Sequence, residues 1–382
     1  MENYNHLEAS IGGKHVGTLA TYQGRFVAFE YADNWVQTGF SISPFILPLE
    51  KKLFIPKHNI FDGIFGVFAD SLPDGWGRLL VDRMLVKMHI NPYEVDTLNR
   101  LAIVGDSGMG ALTYFPKHIH ESVDVKAEYD HIANECKKVL ESEYSDDLDK
   151  LFLLGGSSGG ARPKILTEID EEDWIIKFPA STDRKNSGEI EYRYSLCAKK
   201  CGIDMMKTQL FSSTQCSGYF GTKRFDRVNQ DNGIKKRIHM LSVSALLEVS
   251  HRIPALDYNS LMQLTLELTK DYSEVEKMFK LMCFNVFAHN RDDHSSNFSF
   301  LFDENTKKWK MAPAYDLTHS SSIGGEHATC INGNGRDPTM ADLLTVAEKI
   351  GLEKKKAKKI TEQIQQTVQE DLYDILSSNI FE

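Results

Sequence analysis

The stretch His289-Asn290-Arg291-Asp292-Asp293-His294-Ser295-Ser296-Asn297 decides how this chain is read, because it sets a carboxylate and a carboxamide, Asp292 and Asn297, five residues apart. A loop that supports phosphoryl transfer needs a carboxylate to accept the proton of the attacking hydroxyl. Five residues on it needs an amide oxygen for Mg2+, and the intervening turn brings both to one phosphate. A second carboxylate, Asp316, follows in Ala314-Tyr315-Asp316-Leu317 after the strand-like Trp309-Lys310-Met311, where such a site places its main metal-binding aspartate. An Asp-rich loop with an Asn also serves as a helix cap or a solvated turn, so the weight rests on the three residues together. Asp293 competes with Asp292 for the role of base, and the spacing favours Asp292. His289 and His294 have no third imidazole or soft ligand nearby for a transition metal and are expected to shape the loop.

Upstream lies Gly155-Gly156-Ser157-Ser158-Gly159-Gly160, then the strand-like Ile165-Leu166 and Trp174-Ile175-Ile176-Lys177-Phe178, then a helix over 190–201 carrying Glu191. Successive glycines let backbone N–H groups approach phosphate oxygens, so Gly156, Ser157, Ser158, Gly159 and Gly160 form a candidate phosphate cradle. A strand lysine, Lys177, can then bind the α- and β-phosphates if a helix carboxylate, Glu191, orients it. Each of the three alone reads as a surface turn, a strand-edge charge or a helix-surface acid; their order is what points to a nucleotide. A P-loop is excluded because Gly160 is followed by Ala161-Arg162, and Lys164 has no hydroxyl after it.

The 382 residues, 41% hydrophobic and 26% charged, suffice for two or three core-bearing units. A net charge of -10 argues against a nucleic-acid-binding surface, and the run Lys354, Lys355, Lys356, Lys358, Lys359 reads as the solvated face of a helix. Six cysteines, none in a Cys-x-x-Cys pair, read as buried or half-buried thiols. No apolar run approaches the ~20 residues of a spanning helix, and no secretory signal is seen, so no membrane association and a cytoplasmic location are expected. Short strands are predicted at 15–19 and 26–31, helical spacing over 61–88 with a break at 72–75, and helical spacing again from 129 to 154. A strand is read at 218–227, and helices at 241–250, 258–270, 273–289, 338–351 and 352–378.

The residues resemble the HipA family of bacterial kinase toxins over nearly the whole chain. Asp70-Ser71-Leu72-Pro73-Asp74 and the stretch 105–111 resemble its N-terminal subdomain, 157–164 its glycine-rich loop, and 174–179 its nucleotide lysine strand. Arg224-Phe225-Asp226-Arg227 resembles its hinge, and Asp292-x-His294-x-x-Asn297-Phe298-Ser299 with Tyr315-Asp316 its catalytic and metal signature. The resemblance implies an α+β, protein-kinase-like two-lobe fold: a small N-terminal α+β subdomain over 1–118, a β-rich nucleotide lobe over 119–230 and a mainly helical catalytic lobe over 231–382. It implies Asp292 as base, Asn297 and Asp316 as magnesium ligands, Lys177 on the ATP phosphates, and Lys223, Arg224 and Phe225 along the adenine. It further implies autophosphorylation of Ser157, with Ser158 as the alternative, and a phosphate there adds roughly -1.5 to -2 charge beside the nucleotide. A Ser/Thr protein substrate is expected, by analogy an aminoacyl-tRNA synthetase. So is a helix-turn-helix antitoxin of HipB type, with DNA reached only through it. The loop departs from many relatives in reading Arg162-Pro163-Lys164 where they carry Gln-Glu-Lys. Two other readings stand beside this one: a catalytically silent module that binds an antitoxin, and a metal-dependent hydrolase using Asp292, Asp293, His294 and Asp316.

Overall fold

Gly12 and Gly13 take φ of +57° and +75°, the left-handed pair that a two-residue hairpin needs to follow the twist of its strands. They join His6–Ile11 to Lys14–Tyr22 in antiparallel register, with Ile11 opposite Lys14. Phe26–Tyr31 and Leu53–Phe54 extend this sheet on one side and Leu112–Phe115 on the other. Leu7, Ala9 and Ile11 alternate inward while His6 and Glu8 face water, the period of a half-buried strand.

The computed structural model describes residues 2–118, 128–230, 233 and 235–377. The domain boundaries expected at 118/119 and 230/231 abut 119–127 and 231–232, outside the described residues. The chain forms two compact units, Met1–Gly188 with Leu210–Glu248, and Glu189–Gln209 with Val249–Glu382.

In the first unit the strands Lys164–Ile169 and Glu172–Lys177 form a hairpin through Asp170 and Glu171, both at positive φ, and Tyr219–Lys223 pairs on the far side of the second strand. Against these strands lies a core built from three helices. Gly75–Lys87 contributes Trp76, Leu80, Val81 and Leu85, Tyr129–Leu140 contributes Ile132, Cys136 and Val139, and Leu148–Gly155 contributes Leu151 and Phe152. Ile165, Ile176, Phe178 and Tyr219 complete it. Each such side chain contributes about 1.5–3 kcal/mol on leaving water, which fastens the glycine-rich loop at both ends to one packed body. The helical spacing over 61–88 resolves into Gly66–Ala69 and Gly75–Lys87, and that over 129–154 into two helices. The strand read at 218–227 ends at Lys223 and resumes only at Arg227–Asn229.

The second unit is organised around Tyr272–Phe287, which Asp271 caps by accepting from Ser273 N and which buries Val275, Met278, Phe279, Met282, Cys283 and Phe284. It packs against Tyr258–Thr269 and Lys354–Ser377. A side chain buried on so many faces of one helix marks the centre of a bundle. The helix Ser187–Lys200 joins this unit through Arg193, bidentate on Asp374 at 2.7 and 2.6 Å, and through Tyr194, whose hydroxyl donates to Ala288 O at 2.6 Å. The hairpin Ser299–Asp303/Lys308–Met311 follows the loop 289–297 that leaves the central helix.

Candidate functional site

The glycine-rich loop grows from Gly155 at the end of Leu148–Gly155. A Cβ on Gly155 would stand 2.6 Å from Lys164 O, an oxygen that accepts from Trp76 Nε1 at 3.1 Å. Beyond it the loop folds inward. Ser158 Oγ donates to Gly155 O at 2.6 Å, and Ser157 Oγ donates to Ser107 O at 3.0 Å, both side chains buried. Trp76 N donates to Gly160 O at 3.0 Å. Gly159 is the exposed tip, with nothing within 4 Å of where its Cβ would be. Arg162, whose contacts the sequence left undefined, grips Asp183 with Nε at 3.0 Å and a second nitrogen at 3.2 Å, and closes the far end of the loop.

Lys177 ends its strand half-buried, with Nζ 5.7 Å from the Phe220 ring centroid. Directly opposite it in the hairpin is Lys164, 7% exposed, whose ammonium donates to Gly159 O at 2.6 Å. Sequence reasoning passed over Lys164, although the register was available: a turn centred between 170 and 171 places 164 opposite 177. Of the segment expected along an adenine, Lys223 pairs with Glu172 at 2.5 Å and Phe225 is half-buried. The Arg224 guanidinium is turned away into Asp226, with Nε and a terminal nitrogen at 2.9 and 2.8 Å. What Arg224 could offer a ligand is therefore backbone, because its side chain is spent within the fold.

The Asp-Asn-Asp set lies in the helical unit. His289 leaves the central helix at φ +51°, Asn290 N still reaches Asn285 O at 2.9 Å, and the chain then turns outward. The Asp292 side chain is 64% exposed, with His294 Nε2 at 3.8 Å from its Oδ1. Asp293 points the other way and is fully buried. Its Oδ2 accepts from Tyr258 OH at 2.9 Å and lies 3.0 Å from His327 Nδ1, while its Oδ1 accepts from Thr329 N at 3.2 Å. Burial separates the neighbouring acids: Asp292 faces solvent and Asp293 is held inside the fold. Burial, helped by the charges of Arg291 and His327, draws the His289 pKa down.

Asn297 Nδ2 donates to Asp292 O at 2.7 Å, which assigns the amide and turns its carbonyl oxygen to other partners. Asp316 sits at φ +58°, a conformation that costs a non-glycine residue free energy. Tyr315, just before it, is latched by its hydroxyl to Ser296 O at 2.7 Å and to Ser299 Oγ at 2.6 Å, on both flanks of Asn297. A carboxamide oxygen and a carboxylate are hard donors of the kind Mg2+ takes, so this set fits that ion. Among the described residues no three His, Cys, Asp or Glu side chains are placed to share a metal. With Asp293 occupied, the four-residue hydrolase set does not assemble. Glu191 is 3% exposed on Ser187–Lys200, in this same unit.

A mixed α/β chain with an N-terminal antiparallel sheet, a glycine loop ahead of a lysine strand, and a helical unit bearing an Asp-Asn-Asp set defines a class. The HipA N-terminal domain matches residues 7–115 and the HipA-like C-terminal domain matches 156–372. The chain belongs to the HipA family. It is 25% identical over 336 residues, 80% of this chain and 75% of the other, to the Sinorhizobium fredii (strain NBRC 101917 / NGR234) protein named "Putative kinase Y4mE". Its fold is that of the HipA chain solved in the Shewanella oneidensis MR-1 complex of HipA, HipB and operator DNA. The TM-score is 0.72 at 19% identity, over 97% of this chain and 90% of that one. No helix among the described residues is long and apolar enough to cross a membrane.

Proposed function

We propose that this protein is an ATP- and magnesium-dependent serine/threonine protein kinase acting as the toxin of a toxin–antitoxin pair. The observation that carries the reading is the bond from Asn297 Nδ2 to Asp292 O. It ties a carboxamide, through its nitrogen, to the backbone of the residue that bears the exposed carboxylate five positions earlier, the spacing of a kinase loop, and leaves the carboxamide oxygen for a cation. Asp292 would orient the acceptor hydroxyl and take its proton. Asn297 and Asp316 would hold the cation, which when bound neutralises charge on the transferring phosphate. Lys177, with Lys164 opposite it, would hold the nucleotide phosphates under the loop 156–160. Catalysis on this reading rests on positioning and electrostatics.

Incubation with [γ-32P]ATP and Mg2+ should label protein, and Asp292→Asn should abolish the label while the thermal midpoint stays unchanged. A normal rate in that variant defeats the assignment, and no label with the wild-type chain favours a silent antitoxin-binding module. The HipA–HipB–operator neighbour supports an antitoxin partner, with DNA reached through it, and an aminoacyl-tRNA synthetase is the proposed class of substrate. Autophosphorylation at Ser157 would require the hydroxyl to leave Ser107 O. A dianion has no place in a pocket that leaves that side chain 9% exposed, so the loop would have to turn out and disassemble the cradle.

A further inference from the structure

The two residues that flank the exposed Asp292, Arg291 and Asp293, are both tied down by one distant segment, 327–329. Ala328 N donates to Arg291 O at 3.0 Å, and Thr329 Oγ1 donates to Asp293 O at 2.5 Å. Thr329 N reaches Asp293 Oδ1 at 3.2 Å and His327 Nδ1 meets Asp293 Oδ2 at 3.0 Å. These four bonds bracket Asp292 on both sides, and consecutive Cα atoms stand only ~3.8 Å apart, so little freedom remains in where its backbone stands and from which point its carboxylate projects. The segment is itself anchored, since His327 N donates to Gly335 O at 2.7 Å and Thr329–Cys330 pairs in parallel with Leu256–Asp257.

Behind Asp293 the polar chain continues. Tyr258 OH, which donates to Asp293, accepts from Asn285 Nδ2 at 2.9 Å, and Asn285 Oδ1 accepts from Asn290 Nδ2 at 3.0 Å. All of these side chains are buried. A buried carboxylate can only accept, so His327 must present Nδ1 as N–H, and the tautomer is set by its partner. A core this polar costs more to assemble than an apolar one, and the return is a single geometry for the residue that projects from it.

We infer that 327–329 is a strap that aims the Asp292 carboxylate, with His327 as its positioning residue acting through Asp293. This rests on the kinase reading of Asp292 and extends it to a residue 35 positions away. The test uses the full chain, with phosphate transfer from [γ-32P]ATP to the chain itself or to casein measured against ATP concentration. His327→Leu keeps volume and removes the donor, whereas His327→Asn returns an amide N–H near the place of Nδ1. The leucine variant should lose roughly 10- to 100-fold in maximal rate, the cost of misplacing a reacting group. Its half-saturating Mg·ATP should stay within about twofold, and the asparagine variant should recover most of the rate. Equal loss in both variants, a normal rate in the leucine variant, or a parallel loss of ATP affinity would overturn the strap. If His327→Leu does not fold, Thr329→Val, which removes only the hydroxyl bond to Asp293 O, takes its place, and an unchanged rate there overturns the inference equally. Asp292→Asn run alongside separates the two failures. Full activity in that variant sinks the kinase reading, while a silent Asp292→Asn beside a fully active His327→Leu sinks the strap alone.

Discussion

Asp226 is fully buried, and it stays ionised because three groups converge on it. Arg224 contacts both its oxygens, Arg227 approaches Oδ2 at 2.7 Å, and Gly110 N donates to Oδ2 at 2.7 Å. Burial pushes its pKa up, but the two guanidiniums and the amide pull harder and bring it down to about 2. Burial draws Arg227 down to about 9, which leaves it charged at neutral pH. Arg227 and Arg237 in turn donate to the carbonyls of Gly108 and Gly110, so one carboxylate organises both the segment 224–227 and the loop 105–111. Asp226→Ala would strand two arginines out of water, and urea denaturation should show a loss of about 3–5 kcal/mol. A loss below 1 kcal/mol would mean that water replaces the carboxylate. At this scale the site was half legible. The five-residue spacing of Asp292 and Asn297 and the aspartate after Tyr315 could be read from order alone. The opposite facing of Asp292 and Asp293 could not, because Asp293 is held by Tyr258, His327 and Thr329, 34 to 36 residues away. Nor could the diversion of Arg224 into Asp226 two residues on, because it follows from the burial of that carboxylate against Gly110, 116 residues away.

The helix Gly75–Lys87 carries two glycines in its first turn where alanine would be the better helix former, and the glycine loop explains both. A Cβ on Gly75 would stand 2.6 Å from Gly160 O, and one on Gly77 would stand 2.3 Å from Ser158 O. The helix and the loop approach backbone to backbone, which no side chain permits. Gly77→Ala should therefore lower the thermal midpoint, although helix propensity alone favours alanine by about 1 kcal/mol. It should also speed proteolytic nicking within 156–163, and an unchanged midpoint with unchanged nicking would show that the loop yields without cost. Local pattern served well for elements whose period is their own. The helices read at 258–270, 273–289, 338–351 and 352–378 stand at Tyr258–Thr269, Tyr272–Phe287, Met340–Ile350 and Lys354–Ser377. It missed His6–Ile11 and Ser299–Asp303, strands held by pairing more than by composition, and Thr97–Val104, whose start is set by Asp96 accepting from Asn99 N at 2.8 Å.

In the first unit two groups, the buried His239 and the half-buried Glu248, move stability with pH in opposite directions. His239, with Nε2 at 2.8 Å from Ile42 O, has its pKa drawn by burial from 6.5 to about 4, partly offset by that carbonyl. Between those values the unfolded chain takes up a proton that the folded chain refuses, so this residue makes stability fall as pH drops from 6.5 towards 4. Glu248 accepts from Gly66 N at 2.6 Å, and burial, with a smaller push from Asp70, raises its pKa from 4.5 to about 7 despite that bond. Here the folded chain keeps a proton that the unfolded chain releases, so stability falls as pH rises from 4.5 to 7 and levels above that. Denaturant midpoints followed from pH 4 to 8 should show the two effects come apart on substitution. His239→Gln, which keeps a donor near Ile42 O, should flatten the decline below pH 6.5 and leave the neutral side unchanged. Glu248→Gln, which keeps the acceptor for Gly66 N, should be more stable than the parent at pH 8 and no better at pH 4. If instead both variants track the parent across the range, neither group titrates differently on unfolding, and the acid response of this unit must come from its carboxylate pairs, Asp226 foremost.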